Sequence, residues 1–470
     1  MIDDLKPYAE YKDSGLPWLG IIPIGWEVRR NGRLFSQRNE TGYPELPILE
    51  VSLRTGVRVR DFGSSNRKQV IAEKEKYKRA CRGDIAYNMM RMWQGAVGVA
   101  PVDGLISPSY IVARPMTETE PRYFTQLYCT DAYKNVVNIF SRGIVSDRNR
   151  LYWEDFKQIP TPFPPPDEQA SIVRFLEHAN GKIERAIRAK RKLIALLNEQ
   201  KQAIIHRAVT RGLDPAVKLK PSGIPWLGEV PEHWEVRPLK GVCRIQSGIT
   251  LGKDYAGQST NEFPYFRVAN VQAGHTNLAF VKTIRVTKPE ALRCMLQKGD
   301  VLMTEGGDPD KLGRGCVWEE QVTPCLHQNH IFAVRPIKSQ LDPYFLSALM
   351  GTRYARAYFE STAKQTTNLA STNKTKIGQF VVLLPSLDEQ QKILNSLNVE
   401  THAVITAISR AEREIELLRE YRTRLTSDVV TGKVDVREAV KRLPVEPNEN
   451  AEEFDQEEVL DEIDAEEIEA

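Results

Sequence analysis

The sequence predicts an α+β fold of two tandem mixed α/β domains, separated by two long helices that pair as an antiparallel coiled coil. Three observations predict it: a sixteen-residue segment occurs twice, two later stretches share one apolar rhythm, and strand-like runs fill the intervening regions. The implied division is 1–165 and 212–387 for the mixed domains, 166–211 and 388–440 for the helices, and 441–470 for an acidic, disordered tail.

The duplication is explicit. Ser14-Gly15-Leu16-Pro17-Trp18-Leu19-Gly20 recurs as Ser222-Gly223-Ile224-Pro225-Trp226-Leu227-Gly228, and the match runs on to Trp26-Glu27-Val28-Arg29 and Trp234-Glu235-Val236-Arg237. Eleven of sixteen positions are identical, and four of the seven tryptophans lie in the two copies. Asp167-Glu168-Gln169 recurs as Asp388-Glu389-Gln390, each after an apolar, proline-containing segment. Between these anchors Gly83-Asp84-Ile85 answers Gly299-Asp300-Val301, Arg114-Pro115 answers Arg335-Pro336, and Tyr123-Phe124 answers Tyr344-Phe345. The offset grows from 208 through 216 to 221, so the second half has gained about thirteen residues, all before Arg335. One fold with divergent loops accounts for this pattern.

Within each half, short β-branched and aromatic runs are broken by Gly, Pro, Asn and Asp. Ala96–Ala100, Tyr110–Ala113 and Ile331–Val334 read as strands, and Tyr344–Phe359 reads as a helix. In 172–208 the apolar positions are Ile172, Leu176, Ile183, Ile187, Ile194, Leu197, Ile204 and Ala208. Shifted by 221 they become Ile393, Leu397, Val404, Ile408, Ile415, Leu418, Leu425 and Val429. Spacings of three, four and seven with charged residues between them are those of a coiled-coil seam. Ile183, Ile187, Ile194 and Leu197 are expected to meet Val404, Ile408, Ile415 and Leu418. Two independent amphipathic helices, each packed on its own domain, would also use such stripes, but would not require them to match. Asp167 and Asp388 suit N-caps, and Gly212 and Gly432 suit helix stops.

The net charge of +3 conceals an asymmetry. Glu446–Ala470 holds thirteen Asp/Glu and no Lys/Arg, which leaves the remainder at +16. A basic body of that size suggests a polyanionic partner. Apolar runs are strand-sized, so no membrane span is expected, and the Met1–Leu5 start lacks the features of a secretory signal. Six cysteines without a CxxC pair suit reduced thiols, and the expected location is cytoplasmic.

Catalytic signatures are lacking. Gly248–Asp254 has the wrong spacing for a phosphate loop, no glycine-rich fingerprint opens a helix, and Asp310-Lys311 does not form a nuclease constellation. Cys316, Cys325, His327 and His330 have unusual gaps for zinc, and they read as half-buried thiols beside a polar histidine loop. No catalytic residue and no metal ligand is assigned. Side chains able to contact nucleic acid do cluster. Asn88, Arg91, Trp93 and Gln94 lie beside a strand end, and Lys311, Arg314, Gln328 and Asn329 occupy polar segments of the second half. Asn, Gln and Arg can make paired contacts to base edges in the major groove, and Arg54, Arg58, Arg60, Arg67 and Lys68 could hold phosphates.

Over about residues 10–440 these motifs resemble type I restriction–modification specificity subunits. The carrying features are the two Gly-[Leu/Ile]-Pro-Trp-Leu-Gly…Trp-Glu-Val segments, the two Pro-rich…Asp-Glu-Gln helix starts, and the helix exits Ala208–Leu213 and Val429–Val436. The resemblance implies two target-recognition domains, each reading half of a split double-stranded DNA sequence. It implies helices that set the gap and dock two modification subunits, with two restriction subunits as a further addition. It implies a non-catalytic chain without a cofactor of its own, adenosylmethionine, ATP and Mg being expected on partner subunits. It places the eight candidate residues in recognition domains near DNA without assigning bases. A scaffold protein with no DNA role would also explain paired helices, but not the basic body. An enzyme with an unfamiliar motif is a third reading.

Overall fold

The computed structural model describes residues 5–60, 74–143, 149–224, 226–272, 274–307, 313, 315–365 and 370–444. It divides into two compact units, Met1–Arg188 with Ile415–Ala470, and Ala189–Glu414. The central helix Pro166–Arg211 and the C-terminal helix Leu387–Val430 each give one part to each unit.

Unit 1 is built on a four-stranded antiparallel sheet in the order Phe35–Arg38, Tyr110–Pro115, Ile85–Asn88, Val97–Val99. Alternation along the strands sends side chains to opposite faces. Ile85, Tyr87, Ile111 and Ala113 join one core with Phe124, Tyr128, Tyr133 and Phe156. Ala86 and Val112 face a second core with Leu49, Val57, Ala80 and Ile106. Unit 2 repeats the plan with Cys243–Ser247, Ile331–Pro336, Val301–Thr304 and Gly315–Val317. Val301, Met303, Phe332 and Val334 pack with Phe345, Phe359 and Phe380, while Leu302 and Ala333 pack with Phe266 and Trp318.

One expected element differs. Tyr344–Phe359 is not a single helix but all except the first residue of Pro343–Met350 and most of Arg353–Thr362. Thr352 breaks it, because its hydroxyl accepts the Ala355 N–H and caps a new start. Thr130 does the same for Asp131–Phe140 in unit 1.

The long helices pair antiparallel inside each unit. In unit 1, Ile172, Val173, Leu176 and Ala179 share a core with Leu425, Val429 and Val430, and Arg422 reaches Glu184 at 3.2 Å. In unit 2, Ala208 and Val209 share a core with Ile393 and Leu397, Lys190 bonds Glu414, and Arg207 lies 3.7 Å from Glu400. All eight expected seam residues are out of full solvent contact. Ile183, Ile187, Val404, Ile408 and Ile415 are buried, and Ile194, Leu197 and Leu418 are half-buried.

The helix starts correct another expectation. Asp167 and Asp388 lie within the first turn rather than at the N-cap, since the helices begin at Pro166 and Leu387. Ser386 caps the second by accepting the Glu389 N–H at 3.3 Å. The next two residues of each motif carry the architecture. Glu168, only 7% exposed, accepts the Trp26 indole N–H at 2.8 Å and the Tyr8 hydroxyl. Glu389 accepts the Trp234 indole N–H at 3.0 Å and contacts His233 at 3.0 Å. Gln169 accepts the Glu120 N–H at 2.9 Å and donates to Pro164 O at 2.8 Å; Gln390 accepts the Asp342 N–H at 2.8 Å and donates to Pro385 O at 2.9 Å. Both helices close as expected, at Gly212 (φ +75°) and Gly432 (φ +77°), a left-handed conformation in which a Cβ would be strained.

His327 sits fully buried in unit 2, its Nδ1 3.1 Å from Ile331 O, and burial pushes its pKa down to about 4.

Replacing Trp26 by Phe keeps most of the ring but removes the indole donor from the buried Glu168 carboxylate, leaving it the Tyr8 hydroxyl, and should cost unit 1 about 1–3 kcal/mol, a thermal midpoint drop of several degrees. Trp234→Phe should cost less, because the Glu389 side chain is 27% exposed and keeps His233. Equal effects of the two variants in calorimetry would contradict the clamp. His327 is neutral when folded and takes up a proton on unfolding below the unfolded pKa of about 6.5. Its contribution to stability should therefore be lost as pH falls from about 6.5 toward 4, by at most about 1.4 kcal/mol per pH unit. His327→Gln should flatten the pH dependence of the unfolding midpoint in that window, and an unchanged slope would refute it.

Candidate nucleic-acid interface

The sheet of each unit has two unlike ends. One is tied to a helix start, since Gln169 holds Glu118 O and Glu120 N just after the strand Tyr110–Pro115, and Gln390 holds Gln340 O and Asp342 N just after Ile331–Pro336. The other end carries polar loops. There Asn88 pairs with Tyr110 in unit 1, and Thr304 pairs with Ile331 in unit 2. Beyond these strand ends Leu151 N–H donates to Met89 O at 2.9 Å, and Thr372 N–H donates to Glu305 O at 2.8 Å, so each unit gathers equivalent segments at the same place.

Buried charge in the sheets is paired within the fold. Asp84 takes the Arg38 guanidinium at 2.7 Å and the Cys81 N–H at 2.9 Å. Asp300 takes Arg335 at 2.6 and 2.8 Å and the Gln297 N–H at 2.8 Å. The two Gly-Asp motifs thus close equivalent turns, but the arginine comes from different strands. Arg114, the counterpart of Arg335 in the repeat, is exposed instead.

The polar end contains the described members of the residue set expected from sequence. In unit 1, Asn88 is 8% exposed, and its Oδ1 accepts the Met90 N–H at 2.9 Å, which turns the chain out of the strand. Trp93 is half-buried against the core and donates its indole N–H to Met90 O at 3.0 Å. Arg91 and Gln94 are exposed on the same turn. The structure therefore separates two residues that shape the loop from two that present it. In unit 2, Gln328 and Asn329 are half-buried, with backbone N–H groups held by Phe266 O at 2.9 Å and Ile249 O at 3.0 Å. Beside them the exposed His330 ring lies 2.6 Å from Glu305. Lys311 and Arg314 lie outside the described residues, as do Arg67 and Lys68. Arg58 pairs with Glu50 at 2.5 Å, and Arg54 is exposed.

The thiol–histidine group expected to be half-buried is more enclosed than that. Cys316, Cys325 and His327 are at most 2% exposed, and burial pushes the Cys316 thiol up to about 11 and the Cys325 thiol up to about 12. Among the described residues no group of three or more His, Cys, Asp or Glu is placed to hold a metal ion, and no helix is long and apolar enough to cross a membrane.

Comparison with known proteins places this geometry in a family. The model of the type I restriction modification DNA specificity domain matches twice, at residues 23–192 and 231–417. A Methanocaldococcus jannaschii protein provisionally named the type I restriction enzyme MjaX specificity subunit is 26% identical over 46% of this chain and 50% of its own length. The type I restriction enzyme MjaVIII specificity subunit of the same organism is 24% identical over 60% of this chain and 64% of its own length. The match thus spans about half to two thirds of these relatives. A solved chain described under the structural basis of complex assembly and conformational transition of the type I R-M system has the same fold, with a TM-score of 0.63 at 18% identity over 87% of this chain and 98% of that one. Two family-model matches, one in each half and together spanning most of the sequence, establish that the chain belongs to the type I restriction–modification DNA specificity family.

Proposed function

We propose that this chain is the DNA-reading subunit of a type I restriction–modification complex, with each unit reading one half of a bipartite double-stranded target in the major groove. The observation that carries this reading is that in both units the same Trp–Glu and Gln contacts tie one end of the sheet to a helix start, while the opposite end carries the polar loops. A body of +16 outside the acidic tail supplies attraction for phosphates. Arg91, Gln94, Gln328 and Asn329 supply groups that suit base edges, while Asn88 and Trp93 hold the loop that presents them.

The long helices serve two further roles in this proposal. Their lengths, 46 and 44 residues or about 70 Å each, suit a fixed gap between half-sites. Each unit also leaves apolar helix residues in solvent, Leu193, Leu196 and Ile405 in unit 2, Leu417 and Tyr421 in unit 1. Two modification subunits, each docking on such a surface, would bury them. Methyl transfer with adenosylmethionine, and ATP- and Mg-dependent cleavage where restriction subunits join, would reside on the partners, and this chain would be non-catalytic.

Exchanging residues 1–165 for the equivalent segment of another specificity subunit tests the proposal. In complexes reconstituted with modification subunits, sequencing of methylated DNA should show one half-site replaced, with the other half-site and the gap unchanged. The exchanged chain alone should transfer no methyl groups. A change in both half-sites, or methylation without modification subunits, would refute it.

A further inference from the structure

Unit 2 carries a connection that unit 1 lacks. In unit 1, residues 53–55 join Leu49–Ser52 to Gly56–Val59 in a tight hairpin. The corresponding strands of unit 2 are Asn261–Phe266 and Lys282–Val286. Each first strand meets the segment preceding the last sheet strand in parallel, at Ile48 with Leu105 and at Tyr265 with Leu326. Here Tyr265 pairs with Lys282, and the strands are joined across positions 267–281.

A buried asparagine shapes it. Asn270 is 2% exposed; its Oδ1 accepts the Arg267 N–H at 2.9 Å, and its Nδ2 donates to Asn277 O and Phe280 O, both at 2.9 Å. This clamp brings Arg267 and Phe280 together, with the guanidinium carbon 5.6 Å from the ring centroid. The Phe280 ring is 63% exposed, so it does not serve the core. Arg267 Nε is shielded from solvent, yet no described residue accepts its hydrogen bond. The same holds for the Tyr265 hydroxyl, two positions earlier and on the same strand face. The site lies at the polar end of the sheet, because Phe266 pairs with His327 and its carbonyl accepts the Gln328 N–H at 2.9 Å.

We propose that Arg267, supported by Phe280, reads a guanine in the half-site recognised by unit 2. The inference rests on the DNA-reading function proposed above. A buried donor without an acceptor is unfavourable until a ligand supplies one. Guanine presents O6 and N7 side by side in the major groove, which matches the planar arginine fork. A cation–π contact with the Phe280 ring restrains the guanidinium before DNA arrives, which lowers the ordering cost of binding. The arginine fork can also hold a phosphate, and the site's place at the polar end of the sheet, beside Gln328, is what favours a base. The exposed ring adds apolar surface that can meet a neighbouring thymine methyl.

The test uses the full chain assembled with modification subunits, reading the methylated motif by sequencing and the affinity as a function of salt. Arg267→Ala and Arg267→Lys should relax one guanine position in one half-site and weaken the original target roughly ten- to hundredfold. The other half-site should not change. Phe280→Ala should act at the same position with a smaller effect, and Leu292→Ala, at a residue 64% exposed in the same unit, should alter nothing. Thermal midpoints equal to that of the unaltered protein show that each variant is folded. Uniform weakening across sequences with a shallower salt dependence would assign Arg267 to a phosphate and overturn the inference. So would an unchanged motif, or a Phe280→Ala effect at a different position. If the unaltered complex yields no bipartite motif, the DNA-reading function itself fails, independently of these variants.

Discussion

Glu168 accepts the indole N–H of Trp26 in the first turn of the central helix, and the remaining placements in unit 1 depend on that buried contact. A carboxylate removed from water must keep its hydrogen bonds. The strand repeat that carries Trp26 and the N-terminal segment that carries Tyr8 are therefore held against the helix start. The segment after the C-terminal helix joins them, with the Arg437 guanidinium 5.2 Å over the Tyr8 ring, and the Tyr123 hydroxyl donates to Val430 O at 2.9 Å. Gln169 then ties the end of the central sheet strand to the same turn. With one end of the sheet anchored, its opposite end is the free one, and the polar loops stand there. Unit 2 uses Glu389, Trp234 and Gln390 in the same way.

This constraint explains why so much of the fold was legible in the sequence. Trp26 and Trp234, Glu168 and Glu389, Gln169 and Gln390 recur because each makes a contact that few other side chains can replace. They are architecture, and the repeat is visible because architecture tolerates little change. The seam was legible for a related reason: a stripe buried against a partner helix must stay apolar at every turn. Asn88 and Trp93 show where the reading of single residues was too coarse. Their polar groups suit base contacts in isolation, but in the fold they bond Met90.

Other features left no one-dimensional trace. Asp84 and Asp300 occupy matching positions, yet one takes its arginine from Arg38 and the other from Arg335, a swap between neighbouring strands that only the register reveals. The break at Thr352 is set by a single cap hydrogen bond inside an otherwise continuous helical pattern. Arg267 and Phe280 are thirteen positions apart with no periodic relation, and Asn270 joins them through backbone contacts that composition cannot show. The gain in length of the second half was visible, but not that it includes a shaped loop at the polar end of the sheet.

Under the proposed function, one reading surface is used twice. The most direct measurement is the methylated sequence produced by this chain reconstituted with modification subunits, obtained from single-molecule sequencing of unselected DNA. The expected result is two short defined segments separated by a gap of fixed length in which any base is accepted. A single uninterrupted motif, or methylation without sequence preference, would contradict it.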